Sequence, residues 1–79
     1  RFIQPHARVM IHQPSGGARG QASDIEITAQ EILKTKELSA QILADNCEQD
    51  FDKVMKDFNR DHWMGAEESA AYGIVDGII

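Results

Sequence analysis

The sequence is poor in the residues that staple or anchor a small chain. Cys47 is its only cysteine, so no internal disulfide can form. A lone thiol suits a reducing compartment, and cytoplasm or the matrix or stroma of an organelle is the expected location. No apolar run approaches the roughly 20 residues needed to span a bilayer. Arg1 to His6 lack the apolar core of a secretory signal, and no initiating methionine is present. The 79 residues therefore read as part of something longer. Basic residues are scarce too: eight Lys and Arg stand against thirteen Asp and Glu, a net charge of −5. That balance argues against nucleic acid and anionic membrane as partners. His6, His12 and His62 are scattered and Cys47 is alone, so no ligand pair has zinc spacing and no metal or cofactor is expected. The glycines at 16, 17 and 20 are not followed by Gly-Lys-Ser/Thr, which excludes a phosphate loop. No serine stands in a Gly-x-Ser-x-Gly elbow.

What is present divides the chain clearly. Ala7 to Ile11 favour a short, mostly buried strand that ends at His12 and the Gln13-Pro14 turn. Ser15 to Gln21 is rich in glycine and predicts an extended edge segment that another backbone can approach. Ser23-Asp24-Ile25-Glu26 has the pattern of a capping box, with Ser23 as N-cap. Asp24 to Asn46 then run without glycine or proline. Ile25, Ala29, Ile32, Lys36, Ala40 and Leu43 recur at helical spacing there, and Leu33 and Ile42 widen the stripe. Such a helix is about 35 Å long. A 79-residue globule cannot cover it, so part must project and its apolar stripe must meet another chain. Asp50 is placed to cap a second helix with Phe51, Val54, Met55 and Phe58 as its core stripe, stopping near Asn59. A third runs from Ala66 to Tyr72, with Gly73 at its C′ position. Ile74 to Ile79 read as an apolar strand broken by Asp76-Gly77. Two strands do not complete a sheet, so the missing strands are expected outside this sequence.

Two segments can carry chemistry. His12 leaves a β-rich stretch straight into a Pro/Gly turn, and Asp61 lies in Asn59-Arg60-Asp61-His62-Trp63-Met64. A histidine at a strand end is more often structural than catalytic, and an aspartate after a helix is more often a solvated charge. Together they suit a serine nucleophile: the histidine takes the hydroxyl proton and the carboxylate fixes its tautomer. Ser23 is better explained as a cap, and Ser39 and Ser69 as helix residues. Ser15 is too close to His12 along an extended chain to be an obvious partner. Trp63 reads as a packed aromatic anchor. Peptide binding along the glycine-rich edge is compatible with β-augmentation, which needs only free backbone groups.

The motifs come together in a resemblance. Arg8-Val9-Met10-Ile11-His12-Gln13-Pro14 with Gly16-Gly17 is similar to the catalytic-histidine segment of the Clp protease family, the ClpP-type proteolytic subunits. Gly20-Gln21-Ala22, Asp24-Ile25-Glu26-Ile27 and Glu31-Ile32-Leu33 resemble the start of its handle helix. Asp57, Arg60-Asp61, Met64, Ala66-Glu67-Glu68 and Tyr72-Gly73-Ile74-Val75-Asp76-Gly77 continue the pattern. The resemblance implies an α/β chain, the C-terminal portion of a crotonase-like fold of stacked ββα units with a projecting handle helix. It implies a serine endopeptidase working in heptameric rings stacked as a tetradecamer. An ATP-driven Clp chaperone ring would feed it unfolded proteins. His12 would be the general base and Asp61 its orienting carboxylate. Pro14, Ser15, Gly16, Gly17 and Ala18 would bind substrate backbone, and Gln21 and Arg60 would make inter-ring contacts. The family's serine and oxyanion-hole glycines correspond to sequence before Arg1. A non-catalytic ring subunit, or a fragment of the core, is the alternative reading. Asn59 stands where the family carries Asp or Glu beside the arginine, which weakens an inter-ring ion-pair network. Asn46-Cys47-Glu48-Gln49 replaces a glycine-containing break, with Asn46 as the expected left-handed cap.

Overall fold

The computed structural model describes all 79 residues, as four short strands and three helices. The longest element, α1, spans Ala22–Cys47. At 1.5 Å per residue it is about 39 Å long, against a molecule 50 Å in its longest dimension. Of α1, only Ala40, Ala44 and Cys47 are buried, all towards its C-terminal end. These small side chains let α2 (Phe51–Asp57) pack closely, with Val54 and Phe58 filling the space against them. Ile11, Met64 and Tyr72 complete that core, and Phe51 and Met55 lie half-buried at its margin. The core stripe read for the second helix is therefore observed. So is the projecting helix: Ile27 and Leu38 are each 61 % exposed and Leu33 is 59 % exposed. No helix is long and apolar enough to cross a membrane.

Two small ladders tie the helices together. β1 (Phe2–Ile3) pairs in parallel with β4 (Gly77–Ile78), and β2 (Val9–Ile11) pairs antiparallel with β3 (His62–Met64). α3 (Ala66–Tyr72) follows β3 directly and covers a second, smaller core of Ile3, Ala66 and Val75. Its boundaries match the sequence expectation. Gly73 takes φ 98° and closes the helix, its N–H reaching the carbonyls of Ser69 and Ala70. A Cβ on Gly73 would lie 2.4 Å from the Cys47 carbonyl oxygen.

Several expectations need correction. The capping box at Ser23 does not form: the N-cap is Gln21, whose carbonyl accepts the N–H groups of Asp24 and Ile25. Gly20, at φ 117°, turns the chain so that the helix starts two residues earlier than the Ser23 pattern implies. At the other end the left-handed residue is Glu48, φ 55°, and not Asn46. Burial of Cys47 in the core keeps the helix going past Asn46. Asp50 is the N-cap of α2, but its side chain makes no capping hydrogen bond. The strand expected over Ala7 to Ile11 is shorter, and that over Ile74 to Ile79 contracts to Gly77–Ile78. Phe2–Ile3 and His62–Met64 are strands that sequence pattern left unread, so four strands replace the expected two. Trp63 is no packed anchor: it is 52 % exposed, with the Arg8 guanidinium 5.0 Å from its ring centre. The glycine-rich run joins no strand and lies beside α1, where a Cβ on Gly16 would come 3.2 Å from Ile32.

Candidate functional site

The antiparallel ladder brings the two chemistry-bearing segments side by side. Val9 faces Met64, Met10 faces Trp63 and Ile11 faces His62. The ladder ends at Ile11 and His62, so His12 and Asp61 are the residues that immediately follow and precede its last pair. Both residues are exposed, His12 just past the end of β2 and Asp61 just before β3. The pairing does not stop at the ladder. The Gln13 N–H donates to the Phe58 carbonyl at 2.7 Å, and the Gln13 side-chain amide donates to the Asn59 carbonyl. The turn that carries Asp61 is thus held to the residue that follows His12, across 46 positions of sequence.

The His12 ring lies against its neighbour's backbone, with Nδ1 2.9 Å from the Gln13 carbonyl oxygen. A carbonyl can only accept, so Nδ1 is the donor in this contact, which in the neutral ring makes Nε2 the acceptor. That is the tautomer a general base needs. No hydrogen bond or ion pair joins His12 to Asp61; the Nδ1 position that the carboxylate would occupy is taken by the carbonyl. Beside His12 lies an open groove of about 370 Å³, lined by Met10, Ile11, Ser39, Ile42, Leu43 and Phe58. Its walls are mostly apolar and bear no charged side chain.

The Asp61 turn is braced on its other side as well. The Tyr72 hydroxyl donates to Asp57 Oδ2 at 2.9 Å, and Lys53 Nζ contacts the same oxygen at 2.9 Å. Burial alone would raise the Asp57 carboxyl. The hydrogen bonds from Lys53 and Tyr72, with the charges of Lys53 and His62, outweigh it and hold the carboxyl below the usual aspartate range. Burial and the Asp57 carboxylate together push the Tyr72 phenol well above its ordinary value.

The remaining sequence-derived candidates are dispersed. Pro14 is half-buried next to the site, and Ser15, Gly16, Gly17 and Ala18 are exposed and lead away towards α1. Gly16, Gly17 and Ala18 line a second, smaller groove with Ile25, Thr28, Ala29 and Ile32. Gln21 and Arg60 are exposed, one at the head of α1 and the other in the turn before Asp61, and no contact joins them within the chain. No cluster of three or more His, Cys, Asp or Glu could hold a metal ion. Sequence reading passed over the bonds made by Gln13, because an amide bonding to backbone carbonyls leaves no trace in spacing. It also passed over the Asp57–Tyr72 pair, which joins two helices.

Comparison with known proteins puts this geometry in context. A protein from Bacteroides thetaiotaomicron, described as an ATP-dependent Clp protease proteolytic subunit, is 59 % identical over 79 residues. Two from strains of Bacteroides fragilis, described in the same words, are each 57 % identical over the same length. The match covers all of this chain but only 36 % to 38 % of those relatives, so the chain spans little more than a third of their length. The family pattern described as Clp protease matches residues 1–79 without remainder. With all 79 residues inside that pattern, the chain belongs to the Clp protease family.

Proposed function

We propose that this chain supplies two members of a serine-peptidase triad, His12 as general base and Asp61 as its orienting carboxylate. The serine would come from sequence outside these 79 residues. The observation that carries the reading is the β2–β3 ladder, whose last pair, Ile11 and His62, is flanked directly by His12 and Asp61. The donor role of His12 Nδ1, which in the neutral ring makes Nε2 the acceptor, supports it. In the working site the imidazole would leave the Gln13 carbonyl for Asp61, and the carboxylate would stabilise the imidazolium formed as serine attacks. Pro14 to Ala18 would present backbone groups to an extended peptide, and the apolar groove beside His12 would take an apolar side chain. The substrate class is peptide bonds of unfolded proteins. The relatives' description as ATP-dependent Clp protease proteolytic subunits supports ATP-dependent proteolysis; a Clp chaperone partner, heptameric rings stacked as a tetradecamer, and inter-ring contacts by Gln21 and Arg60 complete the proposal and follow from the family resemblance. The finer fold assignment, a crotonase-like stack of ββα units with α1 as its handle, belongs to the same proposal. A cytoplasmic or organelle-matrix location goes with it.

One observation favours a second reading, a non-catalytic ring subunit: His12 is bonded to a carbonyl and not to Asp61. One variant separates the two. In the intact assembled protein, His12→Ala should lower peptide turnover by about 10⁶-fold, as loss of a triad histidine does in a comparable serine protease. Native mass should be unchanged. Undiminished turnover, or none in the parent protein, would leave only the structural reading.

A further inference from the structure

Gln13 is bonded to both halves of the site. Its carbonyl accepts from His12 Nδ1, its N–H donates to Phe58, and its side-chain amide donates to the Asn59 carbonyl. The two bonds to Phe58 and Asn59 begin where the β2–β3 ladder stops. Beyond Ile11 and His62, they are the hydrogen bonds that join the His12 end of β2 to the segment leading into Asp61. The turn has little other support at that point: Asn59, Arg60 and Asp61 are all exposed and make no side-chain hydrogen bond or salt bridge. The half-buried Gln13 side chain reaches the carbonyl two residues before Asp61. Its acceptor is a backbone oxygen, so the contact does not depend on which side chain occupies position 59.

We propose that Gln13 is a positioning residue for peptide hydrolysis: its side-chain amide splints the His12 end of β2 to the Asn59–Asp61 turn and so sets the carboxylate at the height of the imidazole. The inference rests on the functional reading of His12 and Asp61 given above. Glutamine suits the task because its terminal amide donates at the reach required. A splint of this kind acts on the geometry of the reacting groups and leaves the substrate's own contacts in place. Its loss therefore belongs in kcat and not in KM.

Three variants of the intact assembled protein test it, with a short fluorogenic peptide as substrate. Gln13→Glu keeps the shape and removes the donor when ionised. Gln13→Lys keeps an N–H donor at similar reach. His12→Ala is the reference. The splint requires Gln13→Glu to lose about 10- to 100-fold in kcat, with KM and native mass unchanged, and Gln13→Lys to regain most of the loss. A Gln13→Glu protein with normal kcat overturns the splint while leaving the functional reading intact, provided His12→Ala is inactive. Two results mark Gln13 as merely structural and also overturn it: a loss that tracks disassembly, or a Gln13→Lys protein no better than Gln13→Glu. An active His12→Ala protein removes the functional reading, and the splint with it.

Discussion

The Asp57–Tyr72 bond shows how one polar contact can brace a turn at a distance. Asp57 is the last residue of α2 and Tyr72 the last of α3, so their bond fixes two helix ends on either side of the Asp61 turn. Hydrogen bonds to a charged group contribute about 1.5–3 kcal/mol. In Tyr72→Phe the carboxylate keeps Lys53, so a smaller loss of roughly 1–2 kcal/mol at neutral pH is expected in denaturant unfolding of the intact protein. The pH dependence has a definite sign. A carboxyl held below its unfolded value contributes stability above the ordinary aspartate range and loses it as pH falls through the depressed folded value. The gap between parent and Tyr72→Phe should therefore narrow as the pH is lowered through and below about 3.9. A gap that stayed constant with pH would mean that the hydroxyl is not serving the carboxylate. His12 and Asp61 stand out in the sequence as candidates because residue type and flanking turn chemistry mark them. Asp57, Tyr72 and Gln13 do not, because what distinguishes them is the partner each one finds across the fold.

The helices announce themselves more plainly than the strands. α3 is bracketed by glycines, and its C-terminus depends on Gly73 alone being able to take φ 98° against the Cys47 carbonyl. Gly73→Ala combines a left-handed backbone with a Cβ that has no room. It should destabilise the intact protein by roughly 2–5 kcal/mol, seen as a lower denaturant midpoint. A loss under about 1 kcal/mol would mean that α1 and α3 shift apart more freely than their packing indicates. The Phe51, Val54, Met55 and Phe58 stripe was equally clear, since its period matches the buried face. β1 and β3 were hidden because strands of two and three residues show no alternation to read. The ends of α1 were misplaced for a related reason. Local cap chemistry favoured Ser23 and Asn46, whereas a turn at Gly20 and the burial of Cys47 decided the boundaries.

The 79 residues bury only 12 of their number, too few to stabilise a fold comfortably on their own. The Cα radius of gyration, 15.3 Å, exceeds the roughly 12 Å of a compact chain of this length. The excess lies in α1, whose N-terminal part has no apolar partner beyond the glycine-rich run. Prepared alone, residues 1–79 should show less helix by circular dichroism than the three helices contain, and should associate as concentration rises. A monomer with full helicity and a sharp, concentration-independent melt would refute this. The need for other chains was the one global property legible from sequence, because it follows from helix length alone. The β2–β3 register was not, because its partners lie on either side of all of α1 and α2. That separation also has a meaning in time. Gln13 and Asn59 are 46 positions apart, so at 5–20 residues per second a ribosome makes the first roughly 2 to 9 s before the second. Until then the imidazole has been synthesised but has no turn to face, and the two segments that the ladder joins wait on the ribosome to meet.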